Sequence, residues 1–260
     1  MLCCHQIARM AYRLSAGVFV LVGLSLAAQA QCVDAQYSDE SQGSYTLQND
    51  EWGLSGGPGG WQQICTGSSS TNSWSSTWWW AKGTGAIKAY PSIFRGWQIG
   101  GTWSPDHGGF PVMVSKQASL PTSVTFDLSG NNQYDVAYDL FFATNTSPSE
   151  PSAEMMVWLN YSGNQPAGSK VASAVSLGGV SGTWDVWEGN VGWPVYSFVR
   201  DSQVSSYSGN LQPFVYYLAN TKGWLASNDY VMGIQFGTEI IQSNGANGSI
   251  SVTNFSASAN

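Results

Sequence analysis

The chain is poor in charged residues, and basic residues are the scarcest of them. Only 10% of its 260 residues are charged, with 9 Lys or Arg against 16 Asp or Glu, which gives a net charge of -7. Nucleic acids and anionic membrane surfaces both select a basic protein face. The composition therefore argues against either partner and favours a neutral ligand.

Histidine and cysteine are too few for most metal or thiol chemistry. Apart from residues near the N-terminus, the chain has only His107, Cys32 and Cys65. The two Cys do not have the spacing of zinc ligands, so we predict no metal site and no cofactor. His107 lies in a predicted surface turn over residues 104–109, which argues against a Ser-His-Asp triad.

Long apolar runs are missing after residue 30, where no stretch approaches the roughly 18 apolar residues of a membrane span. At the N-terminus, Arg9 and Arg13 precede a short apolar run that ends in Ala28-Gln29-Ala30, the small-x-small form of a signal-peptidase site. We predict a signal peptide over residues 1–30 and a secreted protein without a membrane anchor. In an oxidising compartment, Cys32 and Cys65 are expected to form a disulfide.

Glycine and aromatic residues, by contrast, are abundant, with 30 Gly, 13 Trp and 12 Tyr. Turn-forming residues recur throughout residues 31–260, which predicts many short strands in a single all-β domain, a two-sheet sandwich or jelly roll. So many aromatic rings exceed the needs of a core and suggest a sugar ligand, whose flat apolar face stacks on a ring. The cluster over residues 74–80 and Trp193 fit either a core or a ligand contact.

Hydrophobic periodicity locates ten strands and one short helix. Leu211, Phe214, Val215 and Leu218 follow helical spacing, with Asn210 available as a cap and Gly223 as a stop. The predicted strands are Ser44–Leu47, Thr77–Trp80, Ala86–Tyr90, Ser123–Leu128, Tyr134–Phe142, Glu154–Leu159, Thr183–Glu188, Pro194–Val199, Tyr230–Phe236 and Ser249–Ser256.

Three of these strands carry a carboxylate within an otherwise uncharged run. Because side chains alternate along a strand, Asp139, Glu154 and Glu239 each lie opposite the apolar side of their strand. If the strands share a sheet, the three carboxylates converge on one face. Two carboxylates facing a groove can supply the acid and the nucleophile of glycosidic-bond hydrolysis.

A carboxylate in a strand can also simply face solvent. We expect this for Asp135, which shares a strand with Asp139. For Glu154 we reject it, because Met156 and Trp158 on the same side of the strand make a poor solvent surface.

These residues carry a resemblance to glycoside hydrolase family 12. Residues 154–159 (Glu-Met-Met-Val-Trp-Leu) resemble the family's nucleophile strand, and residues 235–239 (Gln-Phe-Gly-Thr-Glu) resemble its acid/base strand. Residues 135–141 are similar to the strand that holds a helper aspartate, and residues 49–53 to an early Asn-x-x-Trp-Gly segment. The matches follow the family's order along nearly all of residues 31–260.

The resemblance implies a jelly roll with a substrate groove on a concave sheet, and endo-acting, retaining hydrolysis of β-1,4-glucans. It implies that Glu154 is the nucleophile, Glu239 the general acid/base and Asp139 a partner of Glu154. The implied substrate-binding residues are Asn49, Trp52, Met156, Trp158 and Gln235.

The preferred glucan stays open at this point. We expect a general endoglucanase acting on cellulose-type or mixed-linkage glucan, and a xyloglucan-specific enzyme is the alternative. A non-catalytic glycan-binding protein would need the aromatic residues but not the pair of Glu154 and Glu239. Since a groove that binds polysaccharide needs no second chain, we expect a monomer.

Overall fold

The structure is a computed structural model that describes residues 30–56, 59–83 and 85–260. The predicted signal peptide lies, apart from Ala30, outside the described residues and stays a prediction. The strands are β1 (Cys32–Val33), β2 (Asp39–Gln42), β3 (Tyr45–Gln48), β4 (Gly60–Thr66), β5 (Trp74–Trp80), β6 (Ser92–Gln98), β7 (Thr102–Trp103), β8 (Val112–Met113), β9 (Pro121–Ser129), β10 (Asn132–Ala143), β11 (Ala153–Ser162), β12 (Ser169–Val175), β13 (Trp184–Asn190), β14 (Pro194–Arg200), β15 (Ser206–Asn210), β16 (Tyr230–Val231), β17 (Gly233–Ser243) and β18 (Gly248–Ala257). The helical segments are α1 (Gln212–Tyr216), its π-helical continuation (Tyr217–Lys222) and two 3-10 turns (Leu54–Gly56 and Val114–Lys116).

The strands form two sheets packed face to face. The smaller sheet has the order β1-β4-β5-β18-β9-β15. The larger sheet has the order β12-β13-β14-β11-β10-β17-β6-β3-β2, with β16, β7 and β8 attached to it. The all-β, two-sheet jelly-roll sandwich predicted from the sequence is therefore confirmed.

The core between the sheets takes one side of each central strand. From β10 it takes Val136, Tyr138 and Leu140, and β11 and β17 contribute their alternate apolar residues in the same way. The opposite sides of these strands contribute to two separate small clusters, one of them around Met156 and Trp158. The alternation predicted for the three carboxylate-bearing strands is thus confirmed, and it sends the carboxylates away from the core.

The short helix lies where the sequence predicts it. Asn210 Oδ1 accepts the backbone N–H of Gln212 at 3.0 Å, and Gly223 ends the helical segment in the left-handed conformation. Phe214 anchors the helix by packing edge-on against Trp184, with ring centroids 4.9 Å apart. No helix in the described part of the chain is long and apolar enough to cross a membrane.

The predicted disulfide between Cys32 and Cys65 is present and joins β1 to β4. Within this pairing, β1 reaches only Ile64 and Cys65. The first residues of β4, Gly60 to Gln63, consequently have a strand neighbour on one side alone, which is β5.

One predicted strand was wrong, and several strands were not predicted, among them β4, β6, β12 and β15. Residues 86–90 form no strand, and only Ala89 makes an isolated bridge, to Ile240. The backbone of Lys88 bonds alternately to Ile240 on one side and to Gly53 on the other, so no regular ladder develops. β6 was missed because Arg95 and Gly96, which has a φ of +104°, interrupt its apolar pattern.

Candidate active site

Four carboxylates share the side of the larger sheet that faces away from the core, and we call this side the carboxylate face. β10 lies between β11 and β17 and carries Asp135 and Asp139. Glu154 on β11 is opposite Phe141, and Glu239 on β17 is opposite Asp135. The structure therefore brings together the three predicted carboxylates and adds a fourth.

Small residues lie on the strands between these carboxylates, where neighbouring backbone segments approach closely. Ala137 on β10 pairs with Gly237 on β17. A Cβ atom on Gly237 would lie 2.5 Å from the backbone oxygen of Pro91, so no other residue fits there without displacing backbone. Tyr90 uses this space and donates its hydroxyl to the Ala137 carbonyl at 3.0 Å.

Tyr90 is a site residue that the sequence did not reveal. Its ring is buried, and burial together with the charges of Asp139, Asp135, Glu239 and Glu154 raises the pKa of its hydroxyl well above the ordinary value. Tyr90 therefore lies among the four carboxylates, and its hydroxyl stays neutral.

Glu154 is buried and has one strong hydrogen-bond donor. The indole Nε1 of Trp193, which lies in the turn between β13 and β14, donates to Glu154 Oε2 at 2.7 Å. Burial, and to a smaller extent the charge of Glu239, raises the pKa of Glu154 to about 7, while the Trp193 bond lowers it. Trp193, which the sequence left open between core and ligand contact, therefore touches a candidate catalytic group.

Asp139 lies near Glu154, and its surroundings favour its protonated form. Burial and then the charge of Glu154 raise the pKa of Asp139 well above its ordinary value. Its buried Oδ1 atom has no hydrogen-bond donor among the described residues. An ionised carboxylate without donors is costly to bury. These surroundings favour the protonated form of Asp139, whereas the indole donor favours the ionised form of Glu154.

The prediction that Asp135 faces solvent was wrong, because its side chain is 0% exposed. Asn164, in the loop after β11, covers it and donates its amide to Asp135 Oδ2 at 2.8 Å. Asp135 is also the direct register partner of the partly exposed Glu239. Burial and the charge of Glu239 raise the pKa of Asp135 well above its ordinary value. Burial also raises the pKa of Glu239, whereas the interaction with Asp135 lowers it.

The segment before β4 presents an exposed tryptophan beside a further buried carboxylate. Trp52 is 48% exposed, and its backbone N–H is held by Asp50 Oδ1 at 3.1 Å. Burial is the main cause that raises the pKa of Asp50 to about 7, and the charge of Glu239 adds to it. Trp52 is therefore available to a ligand within reach of the same carboxylates.

Asn49 supports this segment from below. It is fully buried, and its amide donates to Glu51 Oε1 at 2.8 Å and accepts from Gln62 Nε2 at 3.0 Å. The structure thus gives Asn49 a role in positioning Trp52, and its direct contact with substrate stays a prediction.

A second exposed aromatic residue, which the sequence did not single out, accompanies Trp52. Tyr37 is 52% exposed, and its backbone N–H donates to the Asn49 carbonyl at 2.9 Å. Burial and the charge of Asp50 raise the pKa of the Tyr37 hydroxyl. Two aromatic rings therefore flank one end of the carboxylate face.

The other predicted substrate-binding residues lie on the carboxylate face but beneath its surface. Met156 and Trp158 pack with Ala137 in a small apolar cluster. Gln235 is buried and donates to Gln98, whose amide in turn donates to Gln48 at 2.9 Å. These side chains shape the floor of the site, and direct contact with substrate stays a prediction for each.

The described residues contain no candidate metal site. Within residues 30–56, 59–83 and 85–260, no group of three or more His, Cys, Asp or Glu side chains is arranged to hold a metal ion. What the carboxylate face offers is proton transfer and nucleophilic attack by carboxyl groups.

Comparison with known proteins gives a consistent result. A sequence model of the family described as Glycosyl hydrolase family 12 matches residues 43–260. Endoglucanase S from Pectobacterium parmentieri is 32% identical over 96% of this chain and 94% of its own length. Endoglucanase A from Aspergillus kawachii is 35% identical over 90% and 95%. A solved structure described as "Native family 12 xyloglucanase from Bacillus licheniformis" has a TM-score of 0.80 at 31% identity and covers 88% of this chain and 100% of that one. The matched range includes all four carboxylates of the carboxylate face.

Proposed function

Because this chain belongs to glycosyl hydrolase family 12 and is an endo-β-1,4-glucanase, we propose that it cleaves internal bonds of cellulose-type glucans with retention of configuration, using Glu154 as nucleophile and Glu239 as general acid/base. The observation that carries the proposal is the joint placement of these two glutamates on the carboxylate face, each beside an aspartate with a raised pKa.

In the first step, a Glu154 oxygen attacks the anomeric carbon. The bond from that carbon to the leaving oxygen breaks while Glu239 gives its proton to that oxygen. The attack requires ionised Glu154. The Trp193 indole favours the ionised form, because its hydrogen bond stabilises the charge of the carboxylate. We propose that a protonated Asp139 favours it in the same way.

In the second step, water replaces the enzyme at the anomeric carbon. Glu239, now ionised, takes a proton from the water as the new bond forms, and Glu154 leaves as a carboxylate. Two inversions give a product with the starting configuration. Glu239 is partly exposed, which suits a group that exchanges protons with both substrate and water.

Trp52 and Tyr37 supply binding at one end of the groove. We propose that Trp52 stacks on a glucosyl ring on the non-reducing side of the cleaved bond, and that Tyr37 extends the same row. Contacts to rings remote from the cleaved bond contribute binding energy that helps to distort the reacting sugar.

Xyloglucan is the second candidate substrate. The observation that favours it is the similarity to a solved structure whose description names a xyloglucanase, at a TM-score of 0.80. The exposed aromatic pair near Asp50 suits an unbranched or a branched chain equally well. Cellulose-type glucan remains the first candidate substrate and xyloglucan the second.

The proposal also includes the form in which the protein acts. We propose that residues 1–30 are removed on secretion and that residues 31–260 act outside the cell as one catalytic domain. We further propose that this domain acts as a monomer, without a metal ion, nucleic acid or membrane.

The test is reducing-sugar release by the purified protein from carboxymethylcellulose, mixed-linkage β-glucan and xyloglucan, with Glu154→Gln as the control. Release from the first two that the variant lacks supports the first candidate, and release almost only from xyloglucan supports the second. Proton NMR of the first product should show the β-anomer, since an initial α-anomer excludes retention. No release from any of the three overturns the proposal.

A further inference from the structure

Two exposed tryptophans lie side by side on the smaller sheet, on the side that faces away from the core. Trp61 on β4 and Trp79 on β5 are direct register partners and therefore point to the same side of the sheet. They are 44% and 37% exposed, whereas Trp78 and Trp80 on the alternate side of β5 are fully buried. We call the pair of Trp61 and Trp79 the tryptophan face.

The strands around the tryptophan face are polar but uncharged, and the nearest carboxyl groups, Asp34 and Glu51, lie beside Trp61. β4, β5 and β18, which form neighbouring strands there, contain no Asp, Glu, Lys or Arg. Gln63 and Thr77 follow the two tryptophans in the ladder, and Ser249 is the next partner of Thr77. A row of amide and hydroxyl groups beside two indole rings suits a neutral, hydroxyl-bearing ligand with a flat apolar side.

A concavity connects the tryptophan face with the segment that carries Trp52. Its lining includes Glu51 and Leu54 from that segment, and Trp61 and Gln63 from β4. Gln62, next to Trp61, also bonds to Asn49 at 3.0 Å, which ties the two regions together. Because β1 does not extend to this end of β4, no strand among the described residues pairs with β4 at this part of the sheet edge.

We propose that the tryptophan face is a second carbohydrate-binding surface, which holds a distal stretch of the same neutral β-glucan chain whose nearer part occupies the carboxylate face. This inference rests on the proposed function. A chain that leaves the groove past Trp52 meets Trp61 at the sheet edge and then Trp79. Two contacts on one polymer act at high effective concentration, so the surface raises the affinity for long chains but not for short ones.

The test uses Trp61→Thr/Trp79→Thr, because threonine is well tolerated in strands. Tyr216→Thr is the matched control, since Tyr216 is a 47% exposed aromatic residue of α1. Binding to amorphous cellulose and to soluble xyloglucan is measured in a Glu154→Gln background, which prevents hydrolysis. We expect the double variant to lose affinity for long glucan at least about 10-fold, and the control to lose none.

Kinetics on the active enzyme separate this surface from the groove. We expect turnover of cellopentaose to be unchanged within about twofold, with KM for long glucan raised. Trp61→Phe/Trp79→Phe should keep an intermediate affinity, because it keeps two rings. Thermal unfolding checks that each variant is folded.

Several results would overturn the inference. Equal binding by the double variant and the Tyr216→Thr control does so, and so does an equal loss on cellopentaose and on long glucan, which would give the tryptophans a general structural role. A dimer of the parent protein that only the double variant dissociates, with glucan binding unchanged, assigns the face to self-association. If the parent releases no sugar and binds no glucan, the proposed function fails along with the inference. Failure of the inference alone leaves that activity intact.

Discussion

Asp135 and Glu239 are direct register partners on β10 and β17, and each carboxyl group shifts the pKa of the other. Asn164 closes the pair from above by donating to Asp135 Oδ2 at 2.8 Å. Two neighbouring carboxyl groups titrate as a pair, so the proton that the general acid needs depends on both residues. The pH range of activity is therefore set by Asp135 as well as by Glu239.

Replacing this aspartate tests the relationship. In Asp135→Asn, the amide keeps the Asn164 contact, with its own NH2 group turned to Glu239 as a weaker donor. Because the interaction with Asp135 lowers the pKa of Glu239, weakening it should raise that pKa and move the basic limb of the pH–rate profile to higher pH. The variant leaves the neighbouring groups unchanged, namely Asp139, Tyr90 and Tyr161, which is the register partner of Asp135 on β11. An unmoved or lowered basic limb contradicts the assignment.

Replacing either glutamate should lower kcat, but with a different dependence on the leaving group. Glu239→Gln is expected to lower kcat by about 10²- to 10⁴-fold, and least for substrates whose leaving group needs no proton. Glu154→Gln should lower it by at least about 10³-fold for every substrate, because no covalent intermediate can form. Initial rates on a natural glucan and on an aryl glycoside with a good leaving group measure the contrast. If Glu239→Gln loses the same factor on both, it is not the general acid.

Trp193 should hold down the pKa of Glu154, the proposed nucleophile. Trp193→Phe keeps the ring but removes the donor to Glu154 Oε2. A hydrogen bond to a charged group contributes about 1.5–3 kcal/mol, so the pKa of Glu154 should rise by about 1–2 units. Since protonated Glu154 cannot attack, the acidic limb of the pH–rate profile should move to higher pH. Trp224→Phe, which alters a tryptophan stacked on Tyr196, is the control and should leave the limb in place.

The buried carboxyls should make the protein more stable in mild acid than at neutral pH. Burial raises the folded-state pKa of both Asp50 and Glu154 to about 7, above the value of about 4 for unfolded carboxyls. Their protonated forms therefore favour the folded state fully below pH 4, and this stabilisation is lost as the pH rises through 7. Tm should fall between pH 5 and pH 8 by several degrees, and less so in Asp50→Asn. Asp127→Asn, an exposed site on β9, should retain the slope of the parent.

The disulfide should contribute stability without affecting catalysis. Cys32 and Cys65 are 33 residues apart, and closing a loop of that length is expected to stabilise the fold by about 3–4 kcal/mol. Cys32→Ser/Cys65→Ser should therefore lower Tm by about 10 °C. Since the bond lies in the smaller sheet, kcat at 25 °C should not change. An unchanged Tm contradicts this prediction, because it shows that the disulfide does not stabilise the fold by restricting the unfolded chain.

Local patterns were enough to predict the faces of the central strands. In β10, β11 and β17 the side chains alternate apart from one register shift in each of the two pairings, and this alternation is a property of any strand. Asp139, Glu154 and Glu239 could therefore be assigned to the face opposite the core from the sequence alone. The helix from Gln212 was equally local, since its cap, its Pro213 and its stop at Gly223 are adjacent in sequence.

The sequence by itself determined the fold class, the candidate glutamates and the aromatic excess, because these follow from composition and short-range periodicity. Tertiary structure decided which groups surround each carboxylate. Asn164 buries Asp135 from 29 residues away, and Trp193 reaches Glu154 across 39 residues, through strands whose order no local pattern encodes. Burial and hydrogen bonding of a side chain depend on neighbours brought in by the whole chain, so the protonation states on the carboxylate face are set by the fold.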